Sequence, residues 1–403
     1  MSPATPPGGD REVWITGVGL VTALGEGQAA HRAALADPAA LAAARDGETF
    51  RPFLVHPVRA LALDRFMPRR ADQRTTGPWM HYGIHAAGLA LEEAGVLGDA
   101  ALLARTHVLA AAAGGERDTA LDEEILAGIA AGEDPDRRLN ARLTEGLRPT
   151  AFLAQLSNMF AGNLSIVLGA AGSSRTFMGE EAAGVEALRV GWRRAAAGQG
   201  ELFLVAASYN ASRADMLLLH QTGGRLLQGG WRDLWSRPAG GICLGSMGAA
   251  LIVESADHAR ARGARPIARL SSVTHGWSDR RPAAAAAAAR WPLPDGEPAF
   301  VVSGASGAGP VTGEEKDYLS ARGSRIAVRG TAAAIGHGVE ASFPANVALA
   351  AWCAAGRAGF PSLSDDPFEA PAAGPVDRVV VTGWGARRGE GMAVLEPVPE
   401  APR

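Results

Sequence analysis

Lysine is almost missing from this chain of 403 residues: among 39 basic side chains, Lys316 is the single lysine. Chemistry that needs an ε-ammonium therefore has one candidate, and Lys316 stands in TGEEKD, a stretch that reads as a solvent-facing loop. Cysteine is scarce as well. Cys243 and Cys353 sit in apolar surroundings with no CxxC or Cys/His spacing, so the sequence holds no metal motif and the pair reads as ordinary buried thiols. No uninterrupted apolar run is long enough to cross a bilayer, which excludes a membrane span. The opening MSPATPPGGDREV has neither the basic start nor the apolar segment of a secretory signal, so the expected compartment is the cytoplasm. A net charge of -3 without a long basic run argues against nucleic acid as a ligand.

What is present is a globular composition, 47% hydrophobic and 20% charged, in a chain long enough for a large core. REVWITGVGLVTALG (Arg11 to Gly25) reads as a buried strand and a Gly-rich turn, and DRVVVTGWGARRGEGMAVLEP (Asp377 to Pro397) echoes it near the other end. Between them, Ala/Leu segments alternate with β-branched runs such as LFLVAAS (Leu202 to Ser208), AALIVES (Ala249 to Ser255) and AFVVSG (Ala299 to Gly304). The alternation predicts an α/β protein with helices layered on sheets. The GVG of Gly17 to Gly19 lacks the third glycine of a dinucleotide fingerprint, Thr22 standing in its place. The tract Ala283 to Ala289 reads as a surface helix or loop. No linker divides the chain, and the expectation is one compact unit of two related halves, 1–255 and 256–403.

The segment NMFAGNLSIVLGAAGSSRTFMGEEAAGVEALRVGWRRAAAGQGELFLVAAS (Asn158 to Ser208) resembles the centre of the β-ketoacyl-acyl-carrier-protein synthases, with their NMxAGxL helix, GPS turn, TACASG nucleophile motif and GxADxxLAGG strand. Leu63 to Val96 is similar to the family's basic helical segment, and GICLGSMGAALIVESADHARARGA (Gly241 to Ala264) to its GFxxGEGAGxLxLExxEHAxxRGA. GGERD (Gly114 to Asp118) and SSRTFMGEE look closest to a divergent, chain-length-factor-like group tied to very-long-chain acyl groups of lipid A. The resemblance implies a thiolase-like fold, two halves in a five-layered αβαβα arrangement.

Counting from Gly162 forward and from Gly198 back places the family's nucleophilic cysteine at Glu181 in both directions. The family's first catalytic histidine falls on Ala305 and its lysine on Ala332, while His337 keeps the second histidine. The gating loop that helps form the oxyanion hole becomes GARRGE, with Gly385, Ala386, Arg387 and Arg388. Acyl transfer needs the thiolate, and losses within one catalytic unit are not additive, so the chain is not expected to condense acyl groups itself. Glu181 would be a plug or acyl mimic at a helix N-terminus, or a mere cap in a decayed site, and its protonation is open. Glu180 would be a first-turn acid pointing elsewhere, and His337 structural.

The resemblance further implies that Arg69, Arg70 and Arg74 grip an acidic carrier protein, unless they are simply a solvated face. Phe152, Met159 and Phe160 would line an acyl pocket, unless they are core. The implied function is that of a chain-length-factor-like subunit paired with an active ketosynthase, acting on chains carried by the phosphopantetheine of acyl carrier protein, with no bound cofactor or metal. Its rivals are a malonyl-carrier-protein decarboxylase using Glu181 and His337, and a non-catalytic homodimeric scaffold for acyl carrier protein.

Overall fold

The computed structural model describes residues 11–147, 153–237, 239–276, 292–293, 297–323, 325–372, 374–386 and 389–399. Phe152, Arg387, Arg388 and the alanine tract 283–289 lie outside the described residues.

Ten strands carry the fold: β1 (Val13–Thr22), β2 (Thr106–Ala112), β3 (Ser174–Phe177), β4 (Leu202–Tyr209), β5 (Met247–Ser255), β6 (Ala268–Gly276), β7 (Ala299–Ser303), β8 (Ile326–Gly330), β9 (Val379–Trp384) and β10 (Glu390–Glu396). They lie in the order β8-β7-β9-β10-β6-β1-β5-β4-β2-β3, with Gly25–Glu26 paired onto β1. This order is one plan used twice. In the first set β2 runs parallel to both β3 and β4, β5 is antiparallel to β4, and β1 is antiparallel to β5. In the second set β7 runs parallel to both β8 and β9, β10 is antiparallel to β9, and β6 is antiparallel to β10. Trp14–Arg269 and Ile15–Ala268 join the two sets edge to edge.

Five helices matter for the site: α1 (Pro78–Glu93), α2 (Asn158–Leu168), α3 (Glu181–Ala196), α4 (Val311–Ser320) and α5 (Ser342–Gly356). α1 and α2 cover the outer face of the first set, and α4 joins the apolar cluster on the outer face of the second. α3 and α5 pack against each other and against strands of both sets. The result is helix, sheet, helix, sheet, helix, the five layers that the resemblance implies. Because α5 is enclosed by strands of both sets, Phe343 through Ala354 are buried without a break, which is why its sequence shows no polar face.

The GVG stretch is mid-strand packing. A Cβ on Gly17 would sit 2.1 Å from the Ala90 carbonyl oxygen, and one on Gly19 would sit 1.8 Å from that of Ala86. Glycine there lets α1 lie directly on β1. Lys316 departs from the loop expectation: it is in α4, where its ammonium pairs with Asp366 at 2.7 Å and is half-buried beside Phe368. Val311, Tyr318 and Leu319 bury one side of that segment, and this stabilises the helix.

Candidate functional site

Glu181 is the first residue of α3. Gly179 at φ 135° and Glu180 at φ 57° turn the chain from the edge strand β3 into the buried layer. Such a backbone at a residue with a Cβ costs on the order of 1–3 kcal/mol, so surrounding packing must hold the turn. Glu181 is 7% exposed. Its Oε1 lies 3.0 Å from His337 Nε2 and accepts the Ala386 N–H at 2.9 Å.

His337 arrives from the other half. After β8 comes a helical turn, Ala332–Ile335, and then Gly336 at φ 71° reverses the chain. The His337 N–H donates to the Cys243 carbonyl at 2.8 Å, and the Gly245 N–H donates to the His337 carbonyl at 2.9 Å. Ser342 Oγ, at the start of α5, accepts the Gly338 N–H at 2.8 Å and lies 3.3 Å from His337 Nδ1. Both ring nitrogens thus have partners, which fixes the imidazole plane.

Burial by itself pushes the Glu181 carboxyl up, but the hydrogen bond and charge of His337, the Ala386 amide and its own backbone amide outweigh it. The net effect holds Glu181 well below the usual carboxylate range. The N-terminus of a sixteen-residue helix favours the same anion. Glu181 is therefore ionised, and it takes up the loop amide that the resemblance gives to an oxyanion hole.

The carboxyl of Glu340, in the 3-10 turn Val339–Ala341, behaves in the opposite way. Burial first, and then the charges of Glu181 and Glu180, push it up to about 8, so it is neutral where Glu181 is charged. Tyr209, at the end of β4, adds a buried hydroxyl that burial keeps protonated. Glu340, Tyr209 and Ser342 carry no motif, and the groups that act on Glu340 and Tyr209 come from other segments, so sequence reasoning missed them.

Ala305 and Ala332 are both buried. The Ala305 N–H donates to Ser303 Oγ at 3.1 Å, and Ala332 opens the short turn before His337; neither side chain carries a polar group. The Gly385 N–H closes onto the Gly389 carbonyl at 3.1 Å, which brings Ala386 over Glu181. Cys243 is nearer to the site than its sequence distance suggests, since its backbone bonds that of His337. Its Sγ donates to the Leu54 carbonyl at 3.3 Å, and burial pushes the thiol up to about 12, so it cannot serve as a nucleophile.

Arg69, Arg70 and Arg74 flank or lie in the helix Arg70–Thr75 and are exposed, Arg70 lying 3.7 Å from Asp64. Arg74 lines a cleft of about 300 Å³ with Arg117 and the start of α1. Phe160 is buried in the outer apolar layer, its ring centroid 5.4 Å from that of Trp79, and Met159 is partly buried against the same layer.

The Beta-ketoacyl synthase, N-terminal domain, model matches residues 10–259. A beta-ketoacyl synthase from Burkholderia phymatum STM815 is similar over 96% of this chain and 100% of its own, with a TM-score of 0.77 and 19% identity. The ishigamide ketosynthase/chain length factor shares 18% identity over 97% of this chain and 100% of its own, with a TM-score of 0.75. A type II polyketide acyl-carrier protein in complex with its ketosynthase, AntDE:AntF, shares 17% identity over the same shares, with a TM-score of 0.75. No curated protein matches the chain. With the family model spanning more than half of its length, the chain belongs to the β-ketoacyl synthase family.

Proposed function

We propose that this chain is a non-condensing member of its family that acts as a chain-length-factor-like partner of an active ketosynthase during acyl elongation on acyl carrier protein. One observation carries the reading: Glu181 Oε1 engages both His337 Nε2 and the Ala386 amide. The position where an acyl group would be attached is filled by a carboxylate of the chain itself, and no thiol among the described residues replaces it. The ionised state of Glu181 also opposes decarboxylation, because a malonyl carboxylate would approach a like charge in a buried setting.

Pairing with a second ketosynthase is supported by the rim of the first sheet. Among the described residues β3 pairs with β2 alone, so its other edge is open; Met178, just after β3, and Ile166, on the helix α2 that packs on β3, are each 65% exposed. An open strand edge and exposed apolar side chains invite another chain. The phosphopantetheine arm of the carrier protein delivers the growing chain, with Arg69, Arg70 and Arg74 as its docking cations, in the cytoplasm. The acyl group is of the very-long-chain class, as the likeness of GGERD and SSRTFMGEE to the lipid A group indicates.

The test is co-expression with candidate ketosynthases, purification on a tag carried by this chain, and an elongation assay with malonyl-carrier protein. A stable heterodimer whose products differ in length from those of the ketosynthase alone is expected. A persistent homodimer that leaves products unchanged favours the scaffold reading, and carbon dioxide release by this chain alone favours the decarboxylase.

A further inference from the structure

Trp231 is the hub of a cationic cluster that the Glu181 site does not use. The Arg45 guanidinium lies 3.5 Å from the centre of its ring, that of Arg237 lies 5.2 Å away, and the His56 ring meets it edge-on at 6.1 Å. Arg237 and His56 are buried, while Arg45 and Trp231 are half-buried and open the cluster to solvent.

Two guanidiniums on one ring, that of Arg237 buried and that of Arg45 half-buried, call for a counter-charge, since an uncompensated buried cation is strongly unfavourable. Among the described residues neither has an ion-pair partner. Asp233 is near enough for its charge to be felt by both, yet it caps the Trp235 N–H at 3.0 Å and pairs with neither. Cys243 contributes no charge, its thiol being held protonated. Burial, then the charges of Arg45 and Arg237, push His56 down to about 3 against a small upward pull from the Ala334 backbone, so His56 adds a neutral imidazole.

The N–H groups are underused too. Arg237 donates from Nε to the Arg232 carbonyl at 3.1 Å and from Nη1 to the Gly241 carbonyl at 2.5 Å, but its Nη2 is buried with no partner. Arg45 has one long bond, Nη2 to the Ala333 carbonyl at 3.5 Å, and its Nε is buried with no partner. The His56 ring nitrogens make no hydrogen bond of good geometry. Unspent, preorganised donors beside unbalanced positive charge fit a compact oxyanion.

We propose that Arg45, Arg237 and His56, gathered around Trp231, form a binding site for a compact oxyanion, a phosphate or a carboxylate group. Its place in the fold gives it a bearing on the site described above. Arg45 contacts the Ala333 carbonyl in the turn that leads to His337, and Arg237 abuts Gly307 in the loop that follows Ala305. An oxyanion there would draw together the two loops from which the family's histidine and lysine have been lost.

The test is calorimetric titration of the full chain with inorganic phosphate, 4′-phosphopantetheine and malonate, in chloride buffer of fixed ionic strength, with thermal melts alongside. Saturable binding of at least one probe and a rise in Tm are expected, and the three probes separate a phosphate source from a carboxylate one. Arg45→Met should weaken that binding by about tenfold or more, as expected for loss of a charge-assisted hydrogen bond, while Arg45→Lys weakens it less. Without the probe, Arg45→Met should melt at or above the unmodified chain, because one unbalanced charge has gone. No saturable binding by any probe overturns the proposal, as does equal binding by Arg45→Met. A lower Tm for Arg45→Met together with unchanged binding assigns Arg45 a packing role instead.

Discussion

Glu181 and His337 face each other at 3.0 Å across the seam between the two five-strand sets, one on the connection after β3 and the other on the turn after β8. The pair ties one set of strands to the other through a buried contact.

Glu181→Ala leaves His337 Nε2 and the Ala386 N–H without their acceptor. Breaking a buried pair of this kind should cost about 3–5 kcal/mol, and Glu181→Gln, which keeps an acceptor, should cost less. The carboxyl is held below its ordinary value, so its contribution is complete above the unfolded value and is lost as pH falls through the folded one. Urea unfolding at neutral and acid pH should therefore show the gap between Glu181→Ala and the unmodified chain narrowing in acid. A gap that is absent at neutral pH would mean the pair contributes nothing.

Glu340 predicts a dependence of the opposite sign. Its carboxyl, pushed up from 4.5 to about 8, keeps in the native state a proton that the unfolded chain releases, so stability falls as pH rises through that window. Glu340→Gln should match the unmodified chain near pH 4 and exceed it by on the order of 3 kcal/mol near pH 8. Parallel unfolding curves for the two proteins at both pH values would show that Glu340 is not held neutral.

Much of this arrangement is legible in the sequence, because it rests on local patterns. β-Branched runs separated by Ala-rich segments announce layered α/β structure, and the family resemblance, counted from two glycine anchors, implies Glu181 at a helix start, where the fold has it. The same resemblance names His337 as a site residue, while its contact with Glu181 is seen only in the fold. Glu340, Tyr209 and the Arg45–Trp231–Arg237 cluster are not legible in the sequence, since each gains its meaning from residues distant in the chain: Arg45 from Trp231, and Tyr209 from the turn after His337. Lys316 misled for a related reason. Its acidic neighbours suggest a loop, and only burial against the second sheet explains the helix.

Restoring the thiol alone should not restore condensation. Glu181→Cys would place a nucleophile beside His337, yet the residues that the resemblance sets at the family's other histidine and lysine, Ala305 and Ala332, are buried alanines. Groups that act as one unit fail together, so no 3-oxoacyl product should be seen by mass spectrometry with malonyl-carrier protein and an acyl donor. Turnover by the single variant would show that the loop amides and His337 suffice.

The exposed rim of β3 should be where another ketosynthase chain binds. Ile166→Asp with Met178→Asp should leave stability within about 0.5 kcal/mol, both side chains being on the surface, yet weaken association with a partner at least about tenfold. Analytical ultracentrifugation reads both states. Unchanged association would move the interface elsewhere.

The proposed role is to shape elongation without performing it. The direct measurement is the product profile of a purified ketosynthase given malonyl-carrier protein and an acyl primer, with and without this chain at equal concentration. Products of altered length only when both chains are present, with none from this chain alone, are the predicted result. Condensation products from this chain by itself, or a profile that it leaves unchanged, would contradict the account.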